Sequence, residues 1–172
     1  MFYRPVAYLL VTAFLGVSLV ASEPGLVRAV AGTRPTRPLK PWTIIHPFSQ
    51  PLTKYGTGHR GIDVTARAGQ ILRSPFSGRI SWSGWVGSRN TLAVGSRTGL
   101  VFEAEPICSK LLAGVSVARG MPIGRVCSSS SYRSHCGVQL CVHLGLRDAS
   151  GYFSLEQLFG DLPPSRLAFA DG

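Results

Sequence analysis

The apolar positions between residues 42 and 150 fall into short runs that are separated by glycine and proline. Two of these runs, residues 91–94 and 100–104, are four or five residues long and are divided by the turn-rich segment 95–99. Strands of this length and spacing are typical of an antiparallel sheet, sandwich or barrel. No long stretch before residue 150 has helical periodicity. The sequence therefore predicts an all-β fold, in the form of a sandwich or a barrel-like sheet.

The two ends of this region have patterns of their own. Residues 42–51 mix apolar residues with two prolines and predict a short edge strand followed by a loop, in which His46 is expected to be an ordinary hydrogen-bonded histidine. Residues 152–159 predict one short C-terminal helix, with Ser154 as its N-cap and Gly160 at its end. Residues 161–172 are interpreted as a loosely held tail.

The first 31 residues have the pattern of an export signal. Arg4 precedes an almost unbroken apolar run over residues 6–21, and Ala-Val-Ala at 29–31 offers a cleavage site. The run is short for a membrane span, which needs about 20 apolar residues. We interpret residues 1–31 as a signal peptide, with retention as an N-terminal anchor as the alternative. Residues 32–41 then form a proline- and arginine-rich linker.

The chain carries a large excess of positive charge. It has 18 lysine and arginine residues but only 8 aspartate and glutamate residues, a formal net charge of +10, and removal of residues 1–31 would leave +9. Such a charge favours anionic partners. The sequence has no nucleic-acid-binding motif, so we expect no nucleic acid as a partner. For an exported protein the charge indicates attraction to an anionic wall or membrane surface, although a merely soluble basic surface would give the same pattern.

Four cysteines are consistent with an oxidising compartment, and hence with an extracellular, secreted or wall-associated protein. They allow three pairings. We favour Cys108–Cys127 and Cys136–Cys141, because each pair brackets a short hairpin-like segment. A cysteine-rich zinc cluster is the alternative, and it is weakened by the lack of C-x-x-C spacing.

A histidine and a carboxylate lie four residues apart in the segment Gly-His-Arg-Gly-Ile-Asp-Val, residues 58–64. Side chains at positions i, i+2 and i+4 of an extended strand lie on one face. We therefore expect His59 and Asp63 to point into the same space, which Gly61 between them leaves open. An imidazole and a carboxylate are two of the ligands that zinc uses in proteins.

The candidate third ligand is His143, in the predicted strand Leu-Cys-Val-His-Leu-Gly, residues 140–145. Here too a glycine, Gly145, lies two residues away on the same face. Three protein ligands leave a fourth position for a water molecule, whose pKa zinc lowers towards ~7. The sequence thus predicts a catalytic type of zinc site.

These segments resemble the lysostaphin-type zinc endopeptidases, also called LytM-like peptidases, which cut peptide cross-links in bacterial peptidoglycan. The resemblance covers residues 42–160. Residues 58–63 are similar to the family's H-x-x-x-D metal motif, residues 68–80 to the strand pair after it, and residues 114–124 to the later hairpin G-x-x-V-x-x-G-x-x-I-G. It implies a compact, mostly antiparallel β-sheet or sandwich with a groove and hairpins similar to biotinyl-lipoyl-like half-barrels. It also implies a monomer that binds Zn²⁺ and acts on peptidoglycan peptides.

The sequence departs from the family where the catalytic histidines are expected. In the family's closing H-x-H motif the second histidine binds zinc and the first helps catalysis. Here His143 fits the zinc position, but Cys141 stands at the catalytic position. The other catalytic histidine of the family precedes the later hairpin, and in this chain Glu105 falls near that place.

An additional histidine, His135, precedes Cys136. The two cysteines before the zinc histidine resemble a divergent subgroup of the family seen in actinobacteria. Glu105 and His135 are therefore our candidates for the catalytic residues that hold the developing oxyanion and shuttle the proton. A solvated strand carboxylate and a loop histidine that orders the Cys136–Cys141 turn are the alternatives. If Cys141 were reduced, it would instead become a fourth zinc ligand and close the site.

The aromatic residues Tyr55, Trp82 and Trp85, together with Arg60, are candidates for lining the groove, although tryptophan in a β-sheet protein more often belongs to the core. Three functional hypotheses remain open. The first is a secreted zinc-dependent peptidoglycan endopeptidase. The second is a catalytically degenerate LytM-like domain that binds peptidoglycan or regulates another wall hydrolase. The third is a basic extracellular binding module without a metal.

Overall fold

The computed structural model describes residues 34–53, 56–128, 136 and 139–161. The predicted signal peptide or anchor, the tail beyond residue 161, and the candidate residues Tyr55 and His135 lie outside the described residues. Within the described part, no helix combines the length and apolar character needed to cross a membrane.

Ten β-strands and one 3-10 helix make up the described fold. The strands are β1 (Ile44–His46), β2 (Gly61–Thr65), β3 (Ile71–Arg73), β4 (Gly78–Val86), β5 (Arg89–Gly95), β6 (Val101–Glu105), β7 (Ile107–Cys108), β8 (Ser116–Val117), β9 (Pro122–Val126) and β10 (Cys141–Arg147). The 3-10 helix spans Leu155–Phe159. The prediction of an all-β fold with mostly antiparallel strands is confirmed.

The strands form two antiparallel sheets. The larger has seven strands in the order β1-β2-β10-β6-β5-β4-β8, and the smaller has three in the order β3-β9-β7. In the central strands β2 and β10, apolar and polar side chains alternate, as expected for a sheet with one buried face. The apolar residues Ile62, Val64, Val142 and Leu144 are all completely buried in the core. Because neighbouring positions point to the opposite face, Asp63 and His143 project away from this core.

The two disulfides pair as expected from the sequence. Cys108 ends β7 and Cys127 follows β9, so the Cys108–Cys127 bond joins two neighbouring strands of the small sheet. The Cys136–Cys141 bond closes a short loop in front of β10. The alternative, a cysteine-rich zinc cluster, is wrong, because the structure contains no free cysteine among the described residues.

Three features differ from the sequence expectations. The C-terminal helix keeps Ser154 as its N-cap and Gly160 as its C-cap, but it is a 3-10 helix and begins only at Leu155. Trp82 and Trp85 are 48% and 55% exposed, so the expectation that they belong to the core is wrong. Leu39, in the range that we interpreted as a linker, is 1% exposed and packs in the core.

Candidate metal centre

Four polar side chains lie in one row across four adjacent strands. In the strand pairing His46 of β1 is opposite Asp63 of β2, Asp63 is opposite His143 of β10, and His143 is opposite Glu105 of β6. Residues opposite one another on neighbouring strands project to the same face of a sheet. The register of the large sheet therefore assembles residues that are up to 97 positions apart in sequence.

At the centre of this row, three donor atoms approach one another. Asp63 Oδ1 lies 2.9 Å from His143 Nδ1 and 3.2 Å from His59 Nε2, and the two nitrogen atoms are 3.1 Å apart. Asp63 is 1% exposed, whereas the histidines are partly exposed. His59 itself precedes β2 and is held by backbone hydrogen bonds in both directions with Ser49. The residues that the sequence proposed as a ligand set are thus brought together.

The His59 ring is oriented by the backbone. Its Nδ1 lies 2.7 Å from the Pro47 carbonyl oxygen. Because a carbonyl oxygen can only accept a hydrogen bond, Nδ1 carries the proton and donates it. This tautomer leaves the lone pair of Nε2 directed at Asp63 and His143, which is the arrangement of a metal-ligating histidine.

Gly61 makes room for the His143 ring. A Cβ atom at this position would lie 2.6 Å from His143 Nε2 and would also collide with the Leu144 carbonyl oxygen. At Gly145, which pairs with Gly61, a Cβ atom would lie no closer than 3.6 Å to its neighbours, an ordinary contact. Only the first of these two glycines is therefore required by the geometry of the site.

His59, Asp63 and His143 fit a tetrahedral metal ion by donor type and by spacing. Imidazole nitrogen and carboxylate oxygen bind zinc at about 2.0–2.2 Å, which places the ligand atoms of a tetrahedron roughly 3.3–3.6 Å apart. The observed separations of 2.9–3.2 Å are within a few tenths of an ångström of that range. The cluster could hold a metal ion.

His46 holds the other oxygen of the same carboxylate. Its Nδ1 donates to Asp63 Oδ2 over 2.8 Å. His46 is hydrogen-bonded, as the sequence analysis expected, but its partner is the central carboxylate of the site. The bond fixes the Asp63 carboxylate so that Oδ1 faces the other two histidines. Spacing alone could not reveal this contact, because β1 and β2 pair through a register shift.

The Cys136–Cys141 bond lies beside the cluster. Cys136 Sγ is 3.8 Å from Asp63 Oδ2 and 3.9 Å from His46 Nδ1. These three residues also form a group with metal-ligand spacing. Since Cys136 is in a disulfide, it provides no thiolate in this state. The disulfide therefore packs next to the metal centre as a wall of the site.

Glu105 stands next to His143 in the row, and both of its carboxylate oxygens have partners. Oε1 accepts a hydrogen bond from Arg89, and Oε2 accepts one from the Thr91 hydroxyl at 3.1 Å. These contacts hold the carboxylate in place at the strand end. Glu105, a candidate catalytic residue, thus stands opposite His143, and its orientation is fixed by two side chains of β5.

A cavity of about 580 Å³ opens beside the row and includes His143 and Glu105 in its lining. Trp82 and Arg60, two candidates for the groove, also line it. Trp85 is not among the residues that line this cavity.

One wall of the cavity is a polar network around Glu103. Arg147 Nε donates to Glu103 Oε1 over 2.6 Å, and the Tyr152 hydroxyl donates to Glu103 Oε2 over 3.1 Å. Burial raises the pKa of the Tyr152 phenol above 10.0, and the negative charge of Glu103 raises it further. The hydrogen bond to Glu103 raises the pKa of the Arg147 guanidinium. Sequence reasoning did not identify these residues. The pairing of β10 with β6 brings Arg147 near Glu103, and an isolated bridge between Arg147 and Tyr152 adds the phenol.

Comparison with known sequences finds distant relatives. No family model matches the chain. It is 25% identical over 111 residues to an uncharacterised protein of Mycobacterium tuberculosis, a match that covers 64% of this chain and 43% of that protein. The chain thus spans less than half the length of the curated relatives that it matches.

Comparison with solved structures shows the fold. The catalytic domain of the antimicrobial peptidase lysostaphin from Staphylococcus simulans has a TM-score of 0.57 at 18% identity, over 69% of this chain and 92% of that one. A zinc-containing peptidase from Vibrio cholerae scores 0.55 at 17% identity, over 67% of this chain and 37% of that one. The SpoIIQ–SpoIIIAH pore-forming complex contains a chain that scores 0.55 at 14% identity, with coverage of 73% and 90%. The protein has the fold of the lysostaphin-type peptidase domains.

Proposed function

We propose that this chain is a secreted zinc-dependent endopeptidase that hydrolyses the cross-link peptides of peptidoglycan. The observation that carries the proposal is the set of three donor atoms from His59, Asp63 and His143, all within 3.2 Å of one another beside a cavity of about 580 Å³. The two peptidases with the same fold, one of them described as containing zinc, support it.

A zinc ion held by these three residues would supply a Lewis acid for the scissile carbonyl and an acidified water at neutral pH. The residues of the chain then have distinct roles. Asp63 and the two histidines keep their donor atoms on one side, and the open cavity admits the peptide. The Cys136–Cys141 disulfide packs against the Asp63 carboxylate, with Cys136 Sγ 3.8 Å from Oδ2.

We assign Glu105 the role of proton acceptor for the attacking water. It is directly opposite His143 in the strand pairing, and Arg89 and Thr91 hold its carboxylate. A fixed carboxylate needs no reorientation when it accepts a proton, which favours general base catalysis. His135 remains our second candidate for proton transfer.

A second function is favoured by the same contacts. Both Glu105 oxygens accept hydrogen bonds and Cys141 is in a disulfide, so neither of the positions at which the family has helper histidines carries an imidazole base. A domain of this kind would bind wall peptide or regulate another hydrolase without cutting. The presence of the same fold in the SpoIIQ–SpoIIIAH complex supports this alternative.

The test is to incubate the full chain, zinc-loaded and with intact disulfides, with purified peptidoglycan and to count new amino termini by mass spectrometry. Chelator-treated protein and His143→Ala are the controls. Zinc-dependent release of fragments, lost in Glu105→Gln while zinc stoichiometry is unchanged, is the expected result. If the protein binds zinc but releases no peptide fragments from walls of several cross-link types, the second function is the correct one. Less than about 0.2 zinc per chain would contradict both, since each requires an occupied site.

A further inference from the structure

Acidic residues are confined to a few positions of the chain. No aspartate or glutamate occurs in residues 64–102 or in residues 106–147. The small sheet β3-β9-β7 is built entirely from these two stretches. Its surface therefore carries basic residues with no acidic residue of its own to balance them.

Five exposed cations lie on or beside this sheet, and we call them the small-sheet cationic surface: Lys40, Arg73, Lys110, Arg119 and Arg125. The arginine–carboxylate pairs seen among the described residues involve Arg37, Arg89 and Arg147 instead. The five cations thus face solvent without an ion pair in the described part of the chain.

Backbone carbonyl groups hold three of these side chains in place. Arg73 donates to the Gly120 carbonyl over 3.0 Å, Arg125 to the Gly69 carbonyl over 3.0 Å, and Arg119 to the Arg34 carbonyl over 3.3 Å. A guanidinium has five N–H donors, so each side chain keeps donors for a ligand. Because these side chains are already ordered, binding costs less conformational entropy than with free side chains.

Two hollows run between the cations. One, of about 520 Å³, is lined by Lys40 and Arg73, and the other, of about 510 Å³, by Lys110 and Arg125. Ile71 lines both, so the hollows adjoin. Ile71 is paired with Arg125 in the sheet, and Arg73 lies two positions further along β3, beyond a register shift. The Arg73 and Arg125 guanidinium groups are held towards opposite ends of β3, by the Gly120 and Gly69 carbonyls, so the positive charge is spread along the two hollows.

We propose that the small-sheet cationic surface binds a linear polyanion, a chain of phosphodiester or carboxylate groups that lies along the two hollows. A bilayer is a flat partner, whereas four of these cations, Lys40, Arg73, Lys110 and Arg125, line concave surface. Nucleic acid is disfavoured because neither hollow is lined by an aromatic residue on which bases could stack. The surface would hold the protein on an anionic polymer, and it shares no cation with the cavity at the metal centre.

The experiment measures binding of the full chain to sodium polyphosphate and to polygalacturonate of defined length, by fluorescence anisotropy of the labelled polymer. We expect affinity to fall by about tenfold or more between about 50 and 200 mM salt, because several charges are contacted. The triple variant Arg73→Gln, Arg119→Gln, Arg125→Gln should bind at least tenfold more weakly. Arg97→Gln, which removes a cation from the turn between β5 and β6, should change the affinity less than twofold.

The two polymers distinguish phosphate from carboxylate as the preferred group. Phosphatidylglycerol vesicles and an oligothymidylate are the competing probes. Tighter binding of the vesicles than of either polymer would overturn the proposal, and so would tighter binding of the oligothymidylate than of polyphosphate of equal charge, because that excess would come from the bases. Equal affinity of the triple variant and Arg97→Gln would also overturn it. If the triple variant fails to fold, Arg73→Gln alone, with its melting temperature recorded, gives the same comparison. Binding should be unchanged by a chelator, so this result is independent of the proposed peptidase activity.

Discussion

Gly61 is the residue whose replacement tests the metal centre most directly. In Gly61→Ala the new methyl group would collide with the Leu144 carbonyl oxygen and lie 2.6 Å from His143 Nε2, so the backbone of β10 or the His143 ring must shift. We expect zinc affinity to fall at least about tenfold and the free energy of unfolding to fall by about 1–3 kcal/mol, as for other overpacked positions. Competition with a chromophoric chelator measures the first quantity, and chemical denaturation the second.

Gly145→Ala is the matched control, because Gly145 pairs with Gly61 but has ordinary space for a methyl group. It should retain the zinc affinity of the unchanged chain. Equal affinities of the two variants would mean that His143 is not held at this position as a ligand.

His46 is expected to act on the metal through Asp63. Its hydrogen bond to Oδ2 orients the carboxylate, and loss of such outer partners typically lowers metal affinity by about 10–100-fold. We predict a loss of this size in His46→Ala, measured by the same competition. His46→Asn, whose amide nitrogen can take the place of Nδ1, should recover most of the affinity. If His46→Asn binds zinc no more tightly than His46→Ala, the ring acts by packing alone.

The strands were predictable because their signals are local. Glycine and proline punctuate runs of apolar residues, and the runs at residues 91–94 and 100–104 appear as the cores of β5 and β6. The two-residue strand β7 is too short to give a pattern of its own, and it follows directly on β6 after Pro106. The core alternative for Trp82 and Trp85 is wrong because burial of one face of a long strand depends on what covers it. β4 is mostly exposed over this part.

Tyr152 links the end of the fold to the cavity wall, and its ionisation should report on that contact. Its pKa is raised by burial and by Glu103, so the folded protein favours the neutral phenol. The stability that this contributes is present below pH 10.0, the ordinary value, and is lost as pH rises through the higher value of the folded state. The tyrosinate absorbance difference between the unchanged chain and Tyr152→Phe should show a midpoint above 10.0. A midpoint at or below that value would mean that the phenol is not packed against Glu103.

At the scale of the whole molecule, the site depends on strand order. The sequence placed His59 and Asp63 on one face from their spacing and proposed His143 from its strand pattern, and the family resemblance pointed to Glu105. It could not predict that His46 flanks them, because β1 and β2 pair through a register shift. Acidic residues are also distributed unevenly between the two sheets. The described acids of the row and cavity wall, Asp63, Glu103 and Glu105, lie on the large sheet, and the small sheet has none.

A metal in this centre would connect the segment before β2 to β2 and β10, two paired strands of the large sheet. Zinc that binds only the folded chain should stabilise it by about 2.7 kcal/mol at a concentration 100 times its dissociation constant. For a chain of this length that corresponds to a rise in melting temperature of roughly 5–10 °C. Thermal unfolding with intact disulfides, with and without a chelator, measures the shift. His143→Ala should show no shift, because it lacks one of the three ligands. An equal shift in both proteins would place the stabilising zinc outside the His59–Asp63–His143 cluster.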